Sequence, residues 1–357
     1  MNTHQNDKII FTLSQKIEKN FLDSINPINS NKEKENFFNE YKKYHQYNPQ
    51  FNYTKKINYT KEEKELIELK KTLKQNLIEK LFAKKIESLL KEINLLNNVN
   101  TKKFCNNSIK FFGKPHSTEI KLAEEIIQKK EKKLKTNITP IQLKEKIQPL
   151  LTKTGFSAEL KQQMSSKASV NLTKKKLFIN SNSTFNKNDL NRFKIHEIET
   201  HIYRYLNGLN QPYKILSIGT GGEYLKTEEG LAIYNETTIQ NNPYQEKIIA
   251  ARLYATNYAL KHDFFDTFDE LNKYFNKEEA YTITQRVKRG IPCGERGAFT
   301  KDYCYFSGYL KIKNYVEQQR ELKNLYYGKI SAEEIKIIKR IKNLNEPKYL
   351  PKHYTRK

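Results

Sequence analysis

The sequence predicts an α+β fold that is mainly helical and contains a small β-sheet. Two observations support this prediction. Apolar residues recur every third or fourth position over long stretches, most clearly at Leu69, Leu73, Leu77 and Leu81, and this is the period of an amphipathic helix. Near residues 170–180 the period changes to two, which is the period of a half-buried strand.

The first 135 residues are predicted to form two parts. Residues 1–60 are expected to be an extended segment that wraps over a larger core, because 47–53 is rich in aromatic residues and contains a proline. Residues 61–135 are expected to be a helical region packed on that core. One of its helices ends at the paired asparagines 97–98, and Ser117 caps another.

The remaining residues, 136–357, are predicted to form the domain that carries the function. A capping box at 139–142, with proline at the first helical position, begins its first helix. Alternating apolar residues at 170–172 and 177–179, separated by three lysines, predict two short strands or a hairpin with a basic turn.

Helices are predicted to follow the strands. Asn186 or Asn188 can cap the first, which is expected to end at Asn207-Gly208, because glycine favours the left-handed conformation that closes a helix. Thr227 is expected to cap the next helix. Further helical periods cover residues 246–275, 308–326 and 331–343.

The composition is strongly basic. Lys and Arg number 65 against 40 Asp and Glu, which gives a net charge of +25. This charge favours acidic partners such as acidic peptides, nucleic acid or anionic membranes, although solvated lysine faces explain it more simply. Nucleic acid ranks low among these partners, because the sequence contains no recognition helix or RNA-binding signature.

The cysteines and the apolar stretches bear on the compartment. Cys105, Cys293 and Cys304 are odd in number and form no Cys-x-x-Cys pair, which argues against a disulfide framework and a cysteine zinc knuckle. The N-terminus lacks the apolar core of a signal peptide, and no stretch approaches the roughly 18 apolar residues of a membrane span. We therefore expect a cytoplasmic protein without a membrane span.

One stretch, Lys-Ile-His-Glu-Ile-Glu-Thr-His at 194–201, organises the last domain. Imidazole and carboxylate are zinc ligands, and Glu197 could act on a water beside such a metal. Zinc-peptidase helices usually space their histidines four apart, whereas His196 and His201 are five apart. Five residues leave two side chains about 140° apart on an ideal helix. Metal binding therefore requires a widened, π-type turn, and the alternative is a pair of ordinary helix histidines.

The third ligand is expected on the following helix. Glu229 comes after a loop long enough to bring it back antiparallel to the histidine helix. Gly230 and Ala232 are small, so the two helices can approach closely. Glu228 is a rival ligand, and either acid could instead stabilise a helix N-terminus. The residues alone leave the choice between these two glutamates open.

Several ordered motifs carry a resemblance to a known family. They are His-Glu-Ile-x-Thr-His at 196–201, Asn-Gly at 207–208, Thr-Glu-Glu-Gly-Leu-Ala at 227–232 and Gly-x-Phe-Thr-Lys-Asp at 297–302, joined by Asn-Pro-Gln-Phe-Asn-Tyr at 48–53 and Gly-Lys-Pro at 113–115. Together they resemble the microtubule-associated tyrosine carboxypeptidase family, in particular its bacterial members, which are often labelled by a QEGLA motif. The likeness spans most of the chain.

The resemblance implies a zinc-metallopeptidase-like core with one zinc ion per chain. It implies His196, His201 and Glu229 as ligands and Glu197 as the catalytic base. The glutamate of the QEGLA motif aligns with Glu229, and Glu228 stands where that motif has glutamine. The implied reaction is the removal of a C-terminal residue, which the family name suggests is tyrosine, from a peptide or protein.

One position departs from the family pattern. The family usually has glycine where Glu199 stands. A glutamate adds negative charge beside the site and bulk at the distorted turn. This departure supports an alternative in which the chain is a catalytically degenerate member that acts as a zinc-containing regulatory or binding protein.

A carboxypeptidase also needs cations for the terminal carboxylate of its substrate. Arg286, Arg289 and Lys301 flank the 297–302 motif, and we expect them to bind substrate, preferably the end of an acidic tail. Each alone is explained more simply as a surface or structural cation. The aromatic residues of 303–306 could line a pocket, but their alternation is more typical of a packed strand.

Overall fold

Helices surround a small three-stranded sheet in the computed structural model, which describes residues 2–44, 46–131, 134–162, 164, 166–221, 223–240 and 242–354. The predicted α+β class, mainly helical with a small sheet, is therefore confirmed. Within these described parts of the chain, no helix has the length and apolar character needed to cross a membrane.

The N-terminal part is helical where an extended segment was expected. Its helices are α1 (Thr3–Glu18), α2 (Phe21–Ile25) and α3 (Ser30–Tyr44). Ile10, Leu13 and Ile17 form the buried face of α1, at the spacing of a helix. The many polar residues between them hid this period in the sequence.

The longest stretch of this part outside the helices is 46–59. The side-chain oxygen of Asn48 accepts a hydrogen bond from the backbone N–H of Phe265 at 2.9 Å. Phe51 is buried and packs edge-on against Phe264, with 5.9 Å between the ring centroids. The aromatic residues of this segment therefore bind it to a larger core, as expected.

Four helices follow. They are α4 (Thr60–Lys71), α5 (Leu77–Asn97), α6 (Phe104–Phe112) and α7 (Ser117–Ile127). The end of α5 at Asn97 agrees with the prediction. The cap of α7 differs from it: His116 is the N-cap, and its backbone N–H donates to the carboxylate of Glu119 at 2.9 Å, so Ser117 is the first helical residue.

The sheet follows α8 (Pro140–Thr152), which begins at the predicted capping box. Its strands are β1 (Ser157–Lys161), β2 (Ala168–Asn171) and β3 (Lys176–Asn180), in the order β1-β3-β2. β2 and β3 pair antiparallel and form the predicted hairpin, whereas β1 pairs parallel to β3. Only Ala158 of β1 is buried, so β1 has too little apolar alternation to be found in the sequence.

Three helical segments then run on without a break: α9 (Lys187–Phe193), a π-helix (Lys194–Ile202) and α10 (Tyr203–Leu209). Asn186 caps α9 with its side-chain oxygen. α10 continues through Gly208, which was expected to end it. A Cβ at Gly208 would lie 2.1 Å from the carbonyl oxygen of Leu216, so this glycine allows two backbones to approach closely.

The remaining helices are α11 (Ile215–Ile218), α12 (Tyr224–Ile239), α13 (Pro243–Ala259), α14 (Phe264–Asn272), α15 (Lys277–Lys288), α16 (Tyr303–Glu317) and α17 (Ile335–Ile338). The helix predicted at 246–275 is thus two helices. The aromatic residues of 303–306 lie on α16 and not on a strand. Thr227 lies inside α12, and its hydroxyl accepts a hydrogen bond from the backbone N–H of Ala332 at 3.0 Å.

Two clusters of buried apolar side chains form the core. The larger cluster draws on all three predicted parts of the chain and includes Leu231 of α12. The smaller cluster joins α8 and the sheet to Ile198 and Ile202 of the π-helix. The π-helix and α12 therefore meet where the two clusters adjoin. The division into residues 1–60, 61–135 and 136–357 stays a prediction.

Candidate metal centre and its cavity

Three buried side chains converge between the π-helix and α12. Nε2 of His196 lies 3.6 Å from Oε2 of Glu229, and Nε2 of His201 lies 3.7 Å from the same oxygen. One ligand atom from each residue lies within 4.8 Å of the others, so these residues are close enough to hold a metal ion. The structure thus brings together all three residues predicted as zinc ligands.

These spacings fit zinc. Tetrahedral zinc with nitrogen and oxygen ligands at about 2.1 Å separates its ligand atoms by about 3.4 Å. The separations between the histidine nitrogens and Glu229 are only slightly larger than this. Two imidazoles and one carboxylate are also a donor set found in catalytic zinc sites, where a fourth position stays open.

The π-helix explains the five-residue gap between the histidines. A π-helix bonds residue i to i+5, so residues five apart lie on one face. The two imidazole centroids are 4.8 Å apart, with ring planes at 82° to each other. The widened turn predicted for His196 to His201 is therefore confirmed.

Side chains from the rest of the fold stabilise this turn. The hydroxyl of Thr200 donates to the carbonyl of Ile195 at 3.0 Å, and Nδ2 of Asn235 donates to that hydroxyl at 3.0 Å. The hydroxyl of Tyr326 donates to the carbonyl of Glu199, also at 3.0 Å. Backbone carbonyls in the distorted turn are thus satisfied, which a buried helix requires.

Two further carboxylates orient the histidines. Nδ1 of His201 lies 2.7 Å from Oε1 of Glu228, and Nδ1 of His196 is hydrogen bonded to Glu236. A carboxylate at Nδ1 fixes the tautomer and orientation of a ligating histidine. Glu228, the rival ligand in the sequence, therefore lies behind His201, while Glu229 faces both Nε2 atoms.

Glu236 was not predicted as part of the site. It follows Glu229 by seven residues, so the two carboxylates lie on the same face of α12 two turns apart. This spacing is the signal in the sequence that could have identified it. Many other glutamates share such a spacing by chance, so only the fold separates it from them.

Glu228 is itself held by two buried cations. Arg204 and Lys329 both form ion pairs with it. Nε of Arg204 also donates to the backbone carbonyls of Leu325 and Gly328. Burial alone would raise the pKa of Glu228, but the charges of Lys329, Arg204 and His201 lower it well below its usual value. The carboxylate behind His201 is therefore ionised.

The charges around Glu229 also favour its ionised form. Burial raises the pKa of Glu229, but the hydrogen bond to His196 and the charges of Lys301 and His201 outweigh burial and lower it to about 2. For His196, burial lowers the pKa, and Glu236 and Glu229 raise it well above its usual value. A carboxylate must be deprotonated to bind a metal, and Glu229 meets this condition.

A cavity of about 750 Å³ opens onto the three ligands. Glu197 lines it beside His196, and the charge of Glu197 contributes to the raised pKa of that histidine. Glu199 is not among the described residues that line the cavity. It is buried, and its carboxylate lies 3.4 Å from Nζ of Lys194.

Gly230 has a different role from the expected one. A Cβ at Gly230 would lie 2.1 Å from the carbonyl carbon of Gly308. The small residue therefore lets α12 approach α16, and not the histidine helix. This contact fixes the position of α12 next to Glu229.

Comparison with known proteins identifies the family to which this chain is similar. The sequence model of the microtubule-associated tyrosine carboxypeptidase family matches residues 35–357. The chain belongs to this family. Its curated relatives in the family include "Putative tyrosine carboxypeptidase MATCAP2" of Mus musculus, at 32% identity over 168 residues, and the protein of the same name of Homo sapiens, at 30% over 168 residues.

The match to these two relatives is partial. It covers 44% of this chain and 32% of each relative, so the chain spans about a third of their length. The family match, by contrast, takes in the histidine motif, the Glu228-Glu229 pair and the 297–302 motif.

In this member of the tyrosine carboxypeptidase family, the three predicted substrate cations line the same cavity as the metal ligands. Asp302 accepts hydrogen bonds from Nε and Nη2 of Arg286 at 2.5 and 3.0 Å, and lies 3.8 Å from Nη2 of Arg289. Nζ of Lys301 lies 3.7 Å from Oε1 of Glu229. Arg286 therefore has a strong structural partner as well as a place in the cavity.

A fourth cation, Arg252 of α13, was not predicted. It lines the cavity, and its Nε atom is buried without a hydrogen-bond partner among the described residues. Burial and the charge of Arg286 lower the pKa of Arg252 to about 10. Nothing in the sequence distinguishes it from the many other basic residues, so only the fold reveals it.

Proposed function

We propose that this chain is a zinc-dependent carboxypeptidase that removes one C-terminal residue, by preference tyrosine, from a peptide or protein. The observation that carries the proposal is the convergence of His196, His201 and Glu229 on the cavity that Glu197 lines. Membership of a family named for tyrosine carboxypeptidase activity supports the reaction class.

His196, His201 and Glu229 would hold the metal. Zinc bound there supplies a Lewis acid for the hydrolysis of a peptide bond. Glu236 is hydrogen bonded to Nδ1 of His196, and Glu228 to Nδ1 of His201. The Nε2 atoms of both histidines therefore face Glu229 and the position that the metal would occupy. The chain thus prepares the ligand atoms before the metal binds.

Glu197 is the proposed acid–base residue. Its carboxylate takes the proton of the attacking water and passes it to the nitrogen of the leaving residue. Glu197 directly follows His196, one of the proposed ligands, in the π-helix. The backbone that carries His196 therefore also limits where the carboxylate of Glu197 can lie.

The cations of the cavity would bind the terminal carboxylate of the substrate. Burial, and to a lesser extent the charge of Arg286, lowers the pKa values of both Arg252 and Arg289 to about 10. An anion beside these arginines and Lys301 would offset this cost of burial. Arginine suits this role because its guanidinium group can bind a carboxylate through two hydrogen bonds.

An acidic tail is the substrate that the charge favours. The net charge of the chain is +25, and Lys19, Lys161 and Lys167 line the cavity together with the arginines. A field of this sign raises the local concentration of an acidic peptide and its association rate.

The alternative of a catalytically degenerate, zinc-containing regulator depended on Glu199. The structure gives this residue a partner, Lys194, and a position outside the cavity. Its charge therefore lies outside the space where a substrate would bind, and peptide turnover separates this alternative from the enzyme.

The proposal is tested by metal content and peptide turnover on the full chain. We expect about one zinc per chain, and the release of a single C-terminal residue from peptides, measured by mass spectrometry. The Glu197→Gln variant should keep its zinc and lose about 10²- to 10⁴-fold in turnover, because it can no longer move the proton. His196→Ala should lose the zinc.

The matched control is His262→Ala, which removes a histidine that does not line the cavity. It should keep both zinc and turnover. Full activity of Glu197→Gln would contradict the mechanism. Internal cleavage of the peptides would show an endopeptidase instead.

A further inference from the structure

The cavity contains a second polar group that the proposed mechanism does not use. It comes from α1 and α5, and we call Glu18, Lys85, Ser88 and Glu92 the α1–α5 cluster. All four residues line the cavity. Lys85 and Glu92 are almost fully buried, at 3% and 4% exposure. Charged side chains are rarely buried to this extent without a partner.

Within this cluster, Glu92 has unused hydrogen-bonding capacity. Nζ of Lys85 donates to Glu18 at 2.5 Å and to the carbonyl of Ile218 at 3.3 Å. Oε1 of Glu92 is buried and has no hydrogen-bond partner within the described parts of the chain. Leaving such a group unsatisfied is unfavourable, so a bound ligand that satisfies it gains affinity.

Glu92 can both donate and accept. Burial and the negative charge of Glu18 raise the pKa of Glu92 well above its usual value, against the opposing charge of Lys85. This shift favours the protonated form of the carboxyl group. A protonated carboxyl offers one O–H donor and an acceptor oxygen, which suits a neutral polar ligand.

Apolar side chains line the cavity beside this cluster. They are Phe21, Leu22, Phe111, Phe112 and Leu225. Aromatic walls of this kind bind a flat apolar ring through stacking and edge-to-face contacts. The cavity thus combines apolar walls with one buried polar group, the combination that fixes the orientation of a ligand.

One buried ring connects these walls to a cation proposed for the terminal carboxylate. The ring of Phe299 lies 6.4 Å from that of Phe21 and 5.5 Å from that of Phe112. The guanidinium group of Arg289 lies 5.1 Å from the centroid of the same Phe299 ring. A C-terminal residue carries its carboxylate and its side chain on one Cα, so its two subsites must be close, and the contacts of Phe299 favour this.

The cluster and the metal ligands line the same cavity. Tyr224 also lines it, and its hydroxyl accepts a hydrogen bond from Nζ of Lys329 at 2.7 Å. Lys329 in turn forms an ion pair with Glu228, the carboxylate behind His201. A substrate in this cavity could therefore meet both the cluster and the metal centre.

We propose that Glu92 binds the side-chain hydroxyl of the substrate's C-terminal residue, so that the cavity distinguishes tyrosine from phenylalanine. This inference rests on the proposed carboxypeptidase function. It assigns the discrimination to one residue of α5, a helix that carries neither the metal ligands nor the proposed base.

The charges of the cluster exclude other side chains. Lys85 and Glu18 already compensate each other in an ion pair, so neither is free to pair with a charged side chain of the substrate. Phenylalanine fits the apolar walls but leaves Glu92 buried and unpartnered. Sites built to bind a hydroxyl reject an analogue that lacks it much more strongly than apolar pockets reject a change in size.

The test uses two peptides that differ only in a final tyrosine or phenylalanine. For the zinc-loaded full chain, kcat/KM should favour tyrosine by about tenfold or more. In Glu92→Leu this ratio should fall to within about threefold of one, through a loss for the tyrosine peptide alone. Lys85 keeps Glu18 as its partner in this variant, so the fold is retained.

Two further variants sharpen the test. Glu92→Gln keeps a donor and an acceptor and should retain most of the preference for tyrosine. Glu87→Leu is the matched control, because Glu87 lies on the same helix with 51% of its side chain exposed. It should leave the ratio unchanged. An unchanged ratio in Glu92→Leu would overturn the proposal.

A binding measurement separates this proposal from the function on which it rests. Free tyrosine and free phenylalanine are titrated into the native chain and Glu92→Leu by calorimetry. If the native chain cleaves neither peptide, the proposed function fails. Tighter binding of tyrosine by about tenfold, lost in Glu92→Leu, would still support the role of Glu92. Equal binding of the two amino acids would overturn it.

Discussion

At the scale of single residues, the two carboxylates that bond the histidines differ in their other partners. Glu236 bonds His196, whereas Glu228 bonds His201 and also neutralises Arg204 and Lys329. Removing a partner from a buried ion pair leaves an uncompensated charge and is strongly destabilising. The two glutamates should therefore respond differently to the same substitution.

We expect Glu236→Gln to weaken zinc binding by about 10- to 100-fold, because the orientation of His196 is lost. The free energy of unfolding of the metal-free chain should fall less than in Glu228→Gln, because His196 keeps Glu229 as a partner. Glu228→Gln should weaken zinc binding and also lower the free energy of unfolding of the metal-free chain, by about 3 kcal/mol. Competition with a chelator gives the zinc affinity, and thermal unfolding gives the stability.

The exposed Glu223→Gln serves as control, since its carboxylate pairs only at the surface with lysines such as Lys226. An equal loss of stability in Glu236→Gln and Glu228→Gln would show that the ion pairs of Glu228 with Arg204 and Lys329 add no stability.

The local sequence pattern decides which residues of the candidate site could be predicted. His196, Glu197 and His201 were proposed because their residue types and spacing are close to those of zinc-peptidase helices. Arg252 and Glu92 could not be found, because their place in the cavity depends on residues far away in the sequence. A lysine-rich chain with many glutamates contains no local sign of such residues.

At the scale of elements, the π-helix was predicted from the spacing of the histidines, whereas the side chains that stabilise it were not predicted. A five-residue gap between two ligands requires a wide turn whatever surrounds it. The groups that satisfy the turn come from α12 and from residue 326 of a short 3-10 helix, and no local pattern joins them to it.

The contact between α12 and α16 gives the second element-scale prediction. Gly230→Ala places a methyl group 2.1 Å from the carbonyl carbon of Gly308, so the two helices must separate. We expect a loss of about 2 kcal/mol or more in the free energy of unfolding, because overpacking a rigid backbone contact is destabilising. Zinc affinity should fall as well, since Glu229 adjoins this position. Thermal unfolding and chelator competition measure the two effects.

Gly294→Ala is the matched control. A Cβ at Gly294 meets only the side-chain nitrogen of Asn48, at 4.0 Å. Stability within about 0.5 kcal/mol of the native chain is expected for it. A similar result for Gly230→Ala would show that the helices are not tightly packed.

At the scale of the whole molecule, the metal should stabilise the fold. The three ligands come from the π-helix and α12, which belong to different apolar clusters, so zinc links the two. A ligand that binds only the folded state at 100 times its Kd adds about 2.7 kcal/mol. Chelation should therefore lower the unfolding midpoint, and zinc should restore it. The Glu229→Ala variant should show a much smaller shift, and an equal shift would place the metal elsewhere.

The fold class was predictable because regular periods recur along most of the chain. The hairpin of β2 and β3 and the cap at Thr139 were found for the same reason. The helices of the first 44 residues were missed, because polar residues break up their apolar faces. β1 was missed because it is short and mostly not buried, so its place is decided by pairing with β3.

The ion pairs of Glu228 have a consequence for biosynthesis. The chain leaves the ribosome with both histidines and both glutamates long before Lys329 and the carbonyls that bind Arg204. Until that segment emerges, Glu228 can pair with Arg204 but not with Lys329, and the carbonyls that hold Arg204 in place are missing. We expect the metal to be captured only after this segment has left the ribosome, which zinc binding by nascent chains stalled before and after it would measure.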